Sequence, residues 1–338
     1  MYRIHLEGVD GDFACQADDT VLRAGLRAGI ALPYECNVGA CGTCKFELLQ
    51  GEVLNLREDA PGLSTRDRAK GRLLGCQARP LGDCTIRLRL DDACRPTVLP
   101  AMRLAALTET RDLTHDIREF RFRAPGHAQF QPGQYALLHL PGVSGPRAYS
   151  MSNIANVEGD WHFQIRRTPE GAATGMLFDH LRVGDSIEID GPYGLAYLRT
   201  DIARDVVCIA GGSGLAPMLS VARGLADCQT THARRLHFFY GARTPRDICG
   251  EDLLRQLPGF GERISYHATV SAPVLAGDPP WHGNTGFVHE LVRDTLVSAL
   301  TDYEFYLAGP PPMIEATEQL LLVGHGVPQS QIHFDRYF

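Results

Sequence analysis

The sequence lacks the features that would direct a chain to a membrane or to nucleic acid. Its longest apolar runs, at 206–210 and 320–323, fall far short of the roughly 18 residues of a membrane-spanning helix. Residues 1–7 contain no apolar segment of the kind found in secretory signals. Basic residues number 33, only two of them lysines, against 40 acidic residues, so the formal net charge is −7. We therefore expect a cytoplasmic protein that binds neither membranes nor nucleic acid.

Two metal-binding patterns of oxygenases are also missing from the sequence. No glutamate has a histidine three residues later, whereas carboxylate-bridged di-iron bundles use paired Glu-x-x-His motifs. No Cys-x-His pair is present for a Rieske cluster. We conclude that this chain does not itself hydroxylate a substrate at such a centre.

The length of 338 residues predicts two or three domains. Residues 1–95 combine short strands, among them 45–53, with a helix that starts after Thr20, and they predict a small α+β domain. A proline-containing linker follows. Residues 101–200 hold short alternating strands between Pro and Gly, which is typical of an antiparallel β-barrel.

Residues 201–338 have a different pattern of apolar residues. Continuous apolar runs at 206–210, 236–240, 264–270 and 305–308 alternate with helical patterns at 217–226, 288–300 and 313–323. Such runs predict strands that are buried on both faces. We expect an α/β domain with a parallel sheet over 201–338.

Cysteine spacing is the most specific signal in the first domain. Cys36, Cys41, Cys44 and Cys76 follow the C-x4-C-x2-C pattern with a distant fourth cysteine that is typical of plant-type 2Fe-2S ferredoxins. Gly39 and Gly42 permit the tight curl that brings three thiolates to one cluster.

Two other readings of these cysteines remain open. A thioredoxin-like pair would use only Cys41 and Cys44, and structural zinc sites usually show two C-x2-C knuckles. The other six cysteines fit ordinary core or surface positions.

Two segments of the second domain suggest a flavin. Arg147, Ala148, Tyr149 and Ser150 end a predicted strand. An arginine can pair with a pyrophosphate, a tyrosine can pack on an isoalloxazine ring, and a serine hydroxyl can hydrogen-bond flavin N5. Small residues at 171–175 then open a helix whose amides could reach the same pyrophosphate. For either segment alone, a surface arginine or an ordinary helix start explains the pattern equally well.

Two loops of the third domain suggest a dinucleotide. Residues 211–214 (Gly-Gly-Ser-Gly) follow the strand at 206–210 and precede a helix, although they do not match G-x-G-x-x-G. Residues 309–313 (Gly-Pro-Pro-Pro-Met) follow the strand at 305–308 in the same way. Both loops lie at the carboxyl edge of the predicted sheet, where open α/β sheets bind ligands.

Taken together, these motifs resemble the reductase, or electron-transfer, components of bacterial multicomponent oxygenases. Within that family the sequence is most similar to toluene monooxygenase electron-transfer components. The resemblance covers all three domains in order. It is carried by residues 33–36 (Pro-Tyr-Glu-Cys) with the cysteine loop, 59–63 (Asp-Ala-Pro-Gly-Leu), 147–150, 191–195 (Gly-Pro-Tyr-Gly-Leu), 210–214, 309–311 and the tail 332–338.

The resemblance implies a plant-type ferredoxin domain, an FAD barrel and a nicotinamide domain, with the four cysteines as cluster ligands and Ser150 as the residue that tunes flavin N5. It implies FAD-binding residues at Arg147, Ala148, Tyr149, Ser150, Ile165, Arg166, Arg167, Gly171, Ala173 and Thr174, with Phe338 stacked over the flavin. It places nicotinamide contacts at Gly211, Gly212, Ser213, Gly214, Tyr240, Arg243, Gly309, Pro310 and Met313. Many relatives have a cysteine where this chain has Ala308, so the thiol that the resemblance would place near the nicotinamide does not carry over to this position.

Electron counting leads to the same function. A nicotinamide gives two electrons as hydride and an iron-sulfur cluster accepts one, so a flavin must stand between them. We expect an enzyme that passes electrons from NADH through FAD and a 2Fe-2S cluster to the oxygenase, or a small ferredoxin, of an aromatic-hydrocarbon monooxygenase system. The alternatives are a reductase of a Rieske-type dioxygenase and a non-catalytic redox-sensing module.

The preference for NADH over NADPH is predicted from acidic residues after Tyr240. Asp247, Glu251 and Asp252 could accept a hydrogen bond from a ribose 2′-hydroxyl and would repel a 2′-phosphate. Arg243 and Arg246 act in the opposite direction, because either could pair with that phosphate.

Overall fold

The computed structural model describes residues 1–9, 11–228, 233–272, 274, 277–296 and 299–337. The polypeptide forms two compact units. The first contains Met1–Met102, Pro146–Ala148 and Asp190–Leu195, and the second contains Arg103–Gly145, Tyr149–Ile189 and Ala196–Phe338. Among the described residues, no helix is long and apolar enough to cross a membrane.

A five-stranded mixed sheet is the centre of the first unit. Its order is β2-β1-β7-β3-β5, with β1 antiparallel to β2 and parallel to β7, while β4 and β6 form a separate antiparallel pair. The strands are β1 (Tyr2–Leu6), β2 (Asp12–Cys15), β3 (Lys45–Gln50), β4 (Val53–Asn55), β5 (Arg72–Leu74), β6 (Ala78–Pro80) and β7 (Cys84–Arg87).

The predicted strand at 45–53 is interrupted in the structure. β3 ends at Gln50 and β4 begins at Val53, because Gly51 has φ +92° and turns the chain. A Cβ placed on Gly51 would lie 2.5 Å from the carbonyl oxygen of Asp83, so a side chain does not fit there. The predicted strand runs through Gly51, although an isolated glycine within a strand pattern is itself a signal of a turn or bulge.

Two short helices complete the first unit. α1 (Val21–Arg27) starts after Thr20 as predicted, and in the structure the Thr20 hydroxyl accepts the Arg23 backbone N–H. α2 (Thr65–Ala69) has a capping box between Ser64 and Asp67. Near the end of α1, Arg27 Nη2 lies 2.7 Å from Oδ1 of the buried Asp190, so residues 190–195 join this unit through an ion pair.

A six-stranded, barrel-like sheet forms the first half of the second unit. Its order is β11-β10-β13-β8-β9-β12, and β9 runs antiparallel to both β8 and β12. Aromatic side chains fill its core, where Phe122 is opposite Trp161 and Phe120 is opposite Phe163. The strands are β8 (Ala101–Asp112), β9 (Ile117–Arg123), β10 (Tyr135–His139), β11 (Arg147–Ser150), β12 (Asp160–Arg166) and β13 (Ser186–Tyr193), and the short helix α3 spans Ala172–Gly175.

A six-stranded parallel sheet forms the second half of this unit. Its order is β17-β16-β15-β14-β18-β19, and every neighbouring pair is parallel. The strands are β14 (Asp205–Gly211), β15 (Leu236–Ala242), β16 (Ile264–Val270), β17 (Asn284–Thr285), β18 (Tyr303–Gly309) and β19 (Ile332–Arg336). Strand β19 was not predicted from the sequence.

Helices cover both faces of the parallel sheet, which explains the continuous apolar runs. Cys208 and Tyr240 pack with α4 on one face, and Val207 and Phe239 pack on the other face with residues of α6 and α7. The helices are α4 (Leu215–Asp227), α5 (Glu251–Leu254), α6 (Val288–Thr295) and α7 (Pro311–Glu318), the last continuing into a π-helical turn at Gln319–Gly324. The predicted fold classes are therefore confirmed.

We expect Phe163→Ala to destabilise the barrel-like sheet by about 3 to 5 kcal/mol, because it removes a fully buried ring from a core that cannot close around the cavity. The Phe163 ring lies edge-on to Phe122 with 6.1 Å between centroids. Denaturant unfolding followed by tryptophan fluorescence measures the loss, since Trp161 lies in the same core. Val157→Ala is the control, because Val157 is 67% exposed. Equal stability of the two variants would contradict the assigned core.

Candidate functional site

The four cysteines of the predicted motif come together in the first unit. Cys36, Cys41 and Cys44 lie on the loop between α1 and β3, and Cys76 lies on a 3-10 turn after β5. The sulfurs of Cys44 and Cys76 are 3.4 Å apart, and the thiols of Cys36 and Cys41 are hydrogen-bonded to each other. The structure thus arranges the four sulfurs as two pairs.

Backbone amides of the same loop donate to these sulfurs. The amides of Ala40 and Cys41 both lie 3.3 Å from Cys36 Sγ, and the Thr43 amide lies 3.5 Å from Cys41 Sγ. A hydrogen bond from the Cys36 thiol lowers the pKa of Cys41 to about 5, and a hydrogen bond from Cys44 lowers the pKa of Cys76. In each pair, one sulfur is therefore stabilised as a thiolate, which is the form that binds metals.

Glycine allows this loop to curl. Gly42 has φ +79°, and a Cβ on it would lie 2.3 Å from the carbonyl oxygen of Gly62. The Gly62 amide in turn donates to the Gly39 carbonyl at 3.0 Å. Sequence reading assigned the segment at 59–63 no separate role. In the structure this segment packs against the cysteine loop and stabilises its curled conformation.

Four cysteine sulfurs in two pairs fit the thiolate ligand set that would hold a 2Fe-2S cluster. A thioredoxin-like dithiol would require Cys41 and Cys44 to be partners. The structure pairs Cys41 with Cys36 and Cys44 with Cys76 instead, which argues against the dithiol reading.

The first predicted flavin segment is strand β11. Ser150 is buried, and its Oγ accepts a hydrogen bond from the Tyr337 hydroxyl at 3.2 Å. Tyr149 is partly buried against the core of the barrel-like sheet. Arg147 is exposed and donates to the Pro146 carbonyl at 3.2 Å; it belongs with Ala148 to the first unit, whereas Tyr149 and Ser150 belong to the second.

The second predicted flavin segment crosses the end of β12 and the start of α3. Ile165 is buried in the core, whereas both arginines after it are exposed and ion-paired, Arg166 to Asp116 at 2.6 Å and Arg167 to Asp179 at 2.7 Å. Their charges are thus already held in place by carboxylates.

At the start of α3 the chain makes a tight turn. Thr174 Oγ1 lies 3.2 Å from both the amide and the carbonyl of Thr168, and Ala173 is buried. A Cβ on Gly171 would lie 2.7 Å from that hydroxyl. The first amides of the helix have no acceptor within the helix, so they can serve an anion.

The two glycine loops of the parallel sheet are adjacent, because β14 pairs with β18. A Cβ on Gly214 would lie 2.0 Å from the carbonyl oxygen of Ala308, and a Cβ on Gly211 would lie 2.7 Å from the sulfur of Met313. Tyr240 is buried and its hydroxyl donates to the Gly212 carbonyl at 3.2 Å. Ser213 and Pro310 lie within the same two loops, so the structure brings these predicted nicotinamide residues together.

The flavin and nicotinamide segments also meet within the second unit. A Cβ on Gly212 would lie 3.3 Å from Nη1 of Arg166. Tyr337 donates its amide to the Gly309 carbonyl at 3.0 Å and its hydroxyl to Ser150. The tail residue Tyr337 therefore bridges a nicotinamide loop and the flavin strand.

Sequence reading selected Phe338 in this tail and missed the contact made by Tyr337. Phe338 lies outside the described residues. Two aromatic residues at the end of the chain were the available signal, but the sequence does not show which hydroxyl meets Ser150. Asp116, the partner of Arg166, gave no signal at all.

The acidic residues expected to select NADH all have partners in the protein. Asp247 Oδ2 accepts from the amide and hydroxyl of Thr244 at 2.8 and 2.9 Å. Glu251 pairs with Arg255 at 2.6 Å, and Asp252 pairs with Arg111 at 3.2 Å. Arg243 is exposed beside them. These acidic residues therefore support a preference for NADH over NADPH less strongly than the sequence suggested.

Three family models match the chain in the predicted order. The 2Fe-2S iron-sulfur cluster binding domain matches residues 4–81, the oxidoreductase FAD-binding domain matches 104–197, and the oxidoreductase NAD-binding domain matches 208–319. The chain therefore carries domains for all three expected cofactors. The boundaries at 1–95, 101–200 and 201–338 stay a prediction.

Curated relatives match along the full length. The ferredoxin–NAD(P)(+) reductase CarAd of Metapseudomonas resinovorans is 42% identical, with 100% of both chains covered. The ferredoxin–NAD(+) reductase component of the Xanthobacter autotrophicus alkene monooxygenase system is 38% identical over 96% of this chain and 97% of the relative. The xylene/toluene monooxygenase electron transfer component XylA of Pseudomonas putida is 33% identical over 99% and 93%.

Solved structures agree with these relatives. The ferredoxin reductase in carbazole 1,9a-dioxygenase has a TM-score of 0.90 and 37% identity, covering 100% of this chain and 98% of that one. The Amycolatopsis cytochrome P450 reductase GcoB has a TM-score of 0.83 and 31% identity, covering 99% and 98%. The expected family is confirmed: the chain belongs to the reductase components of multicomponent oxygenases, oxidoreductases that carry electrons from NADH by means of FAD and a 2Fe-2S cluster.

Proposed function

We propose that this reductase delivers its electrons to the terminal oxygenase, or to a small ferredoxin, of an aromatic-hydrocarbon monooxygenase system. The observation that carries the proposal is the full-length match to oxygenase reductases in a chain whose four cysteines form two sulfur pairs. Bound FAD accepts two electrons with a hydride from NADH and returns them singly, and the cluster takes one at a time. A cytoplasmic location stays a prediction of the sequence.

The cluster ligands in this proposal are the two thiol pairs. Cys36 and Cys41 would hold one iron, and Cys44 and Cys76 the other. The amides of Ala40, Cys41 and Thr43 already donate to Cys36 and Cys41 and would stabilise the charge of the loaded site. Cys44 and Cys76 are the more buried pair, which leaves Cys36 and Cys41 nearer the surface.

The flavin residues in this proposal fall into two groups. In the second unit, the first amides of α3, at Ala173 and Thr174, would bind the pyrophosphate, and Gly171 would form the turn before them, since its own amide donates to the Thr168 carbonyl at 3.1 Å. Arg147 stays a predicted pyrophosphate ligand. Tyr149 and Ser150 would contact the isoalloxazine, and the Tyr337 hydroxyl fixes the direction of the Ser150 side chain. We keep Ile165, Arg166, Arg167, Ala148 and Phe338 in the predicted FAD set.

The nicotinamide residues in this proposal lie on the two packed loops. Gly211, Gly212, Ser213 and Gly214 would bring backbone amides to the dinucleotide, and Gly309, Pro310 and Met313 would form the opposite wall. Tyr240 holds the first loop in place through Gly212, and Arg243 is the exposed cation beside it. Ala308 is fully buried on β18 and offers no thiol at that position.

A second candidate acceptor is the ferredoxin of a Rieske-type dioxygenase. The relative at 42% identity is a ferredoxin–NAD(P)(+) reductase, and the structure with a TM-score of 0.90 belongs to carbazole 1,9a-dioxygenase. No comparable observation favours a non-catalytic redox-sensing module.

Electron transfer to purified acceptor proteins distinguishes the two candidate acceptors. The reductase is mixed anaerobically with NADH and either the oxygenase components of a xylene/toluene monooxygenase system or the ferredoxin of a carbazole dioxygenase system. We expect electrons to reach the monooxygenase components and to support substrate hydroxylation. Fast reduction of the dioxygenase ferredoxin alone would favour the second candidate. Reduction of neither would contradict both.

We expect anaerobic titration with NADH to bleach the flavin absorbance and to produce a reduced 2Fe-2S signal in low-temperature EPR. Both changes follow from an internal electron path between the two groups. Bleaching of the flavin without the EPR signal would contradict the proposed ligand set. It would favour a zinc site or a dithiol at these cysteines instead.

We expect Cys76→Ser to lose most of its iron and its EPR signal while keeping bound FAD and NADH-dependent flavin reduction. The reason is that Cys76 supplies one of the four sulfurs and lies far from the flavin segments in sequence. Iron content and anaerobic stopped-flow absorbance measure the two properties. Cys94→Ser is the matched control, because Cys94 is buried in the same unit outside the motif. Loss of iron in both variants, or in neither, would refute the assignment.

We expect Gly214→Ala to raise the KM for NADH about tenfold, which corresponds to roughly 1.4 kcal/mol of binding free energy. A Cβ at this position would lie 2.0 Å from the Ala308 carbonyl oxygen, so the two nicotinamide loops must separate. Steady-state reduction of ferricyanide gives the KM, and FAD content reports folding. Gly82→Ala serves as the control, since a Cβ on Gly82 has no heavy atom within 4 Å. An unchanged KM would show that the loop packing is not needed for NADH.

A further inference from the structure

A buried arginine faces the cysteine loop from helix α1. Arg23 is 6% exposed and lies in the first turn of the helix. Its neighbour Leu22 packs on Gly75, where a Cβ would lie 3.3 Å from Leu22 Cβ. Gly75 directly precedes Cys76, so the first turn of α1 rests against the turn that carries the fourth cysteine.

The Arg23 side chain is held by the residue that follows Cys36. Its Nε donates to Oδ1 of Asn37 at 3.3 Å, and its Nη2 donates to the Asn37 carbonyl at 3.4 Å. Asn37 is 1% exposed and has φ +55°, an uncommon backbone conformation outside glycine. The guanidinium therefore contacts the cysteine loop at the residue next to Cys36.

The hydrogen bonds of the Arg23 guanidinium go to a neutral residue. One turn later, Arg27 pairs with two carboxylates, Asp19 and Asp190. The hydrogen bonds that the structure gives the Arg23 guanidinium go instead to the amide side chain and carbonyl of Asn37. A buried cation with neutral hydrogen-bond partners exerts a stronger field on nearby groups than a surface ion pair does.

This cation lies against the loop that carries three of the four cysteines, since its hydrogen bonds go to Asn37 directly after Cys36. A buried positive charge beside this loop favours an added electron on iron bound there, because the electron is a gain of one negative charge.

We propose that Arg23 is a positioning residue that raises the reduction potential of the cluster and so makes it a better acceptor for electrons from the flavin. The electron comes from NADH by way of FAD, and no bond forms or breaks at Arg23. The inference rests on the proposed ligand set at Cys36, Cys41, Cys44 and Cys76. Arg23 acts through charge and not through contact with a substrate.

The test is a potentiometric titration of the holoprotein, with the reduced cluster counted by EPR and the flavin by absorbance. In Arg23→Gln, which removes the charge and keeps a hydrogen-bond donor, we expect the ratio of reduced to oxidised cluster at a fixed potential to fall about tenfold. For a one-electron couple this is a shift of about 59 mV. Arg23→Lys keeps the charge and should remain within about threefold of the wild type. The flavin potential should not change.

Arg66→Gln is the matched control, because it removes the same charge from an exposed position of the first unit. A cluster ratio in Arg23→Gln that shifts no more than in Arg66→Gln would overturn the proposal. Equal shifts in Arg23→Gln and Arg23→Lys would also overturn it, because they would show that the shape of the guanidinium matters and its charge does not.

Two further results keep the test decisive. If Arg23→Gln assembles no cluster, Asn37→Asp sets a carboxylate against the guanidinium that now bonds Oδ1 at 3.3 Å. That variant should lower the ratio, and an unchanged ratio would overturn the proposal. Absence of a 2Fe-2S signal in the wild type would instead refute the ligand set, so failure of the proposed function is distinguished from failure of the role of Arg23.

Discussion

Close approach of backbone to backbone at glycine is the constraint on which the proposed cofactor sites depend. In the first unit, Gly42 lies so near the Gly62 carbonyl that a Cβ would be 2.3 Å from its oxygen, and the cysteine loop curls because this space is open. In the second unit, Gly214 meets the Ala308 carbonyl in the same way at 2.0 Å. Both contacts bring backbone amides to the place where a negatively charged group would bind.

Charged side chains near the proposed sites are positioned by ion pairs. Arginine supplies nearly all of the basic side chains, since the sequence has only two lysines. Several arginines near the proposed sites are held by carboxylates, as Arg166 is by Asp116 and Arg167 by Asp179. Arg23 differs because its guanidinium donates hydrogen bonds to the neutral Asn37, the residue that follows Cys36.

The carboxyl-terminal tail connects the two cofactor segments of the second unit. Strand β19 adds to the edge of the parallel sheet beside β18, and Tyr337 then reaches both the Gly309 carbonyl and the Ser150 hydroxyl. The tail therefore has two tasks, closing the sheet and orienting a serine that we place at the flavin. A shift of β19 would change the position of the Ser150 side chain, because Tyr337 connects the two.

The sequence by itself determined the three modules, their order and most of the residues that we assign to cofactors. Cysteine spacing, apolar periodicity and glycine-rich turns are local signals, and local backbone physics is sufficient to interpret them. It also placed the start of α1 after Thr20 and four strands of the parallel sheet within two residues. The strand predicted over 45–53 runs through the break at Gly51, where the positive φ is a property of the folded backbone.

Only the tertiary structure decided which of these residues meet. It paired Cys36 with Cys41 and Cys44 with Cys76, set Tyr337 on Ser150, and turned Arg23 towards Asn37. It also showed that the acidic residues after Tyr240 have partners within the protein, whereas the charge pattern alone had left these residues available to a ribose hydroxyl. The physical reason is the same in each case: such contacts join residues that are distant in the chain, and their geometry is fixed by the packing of whole elements and not by local sequence.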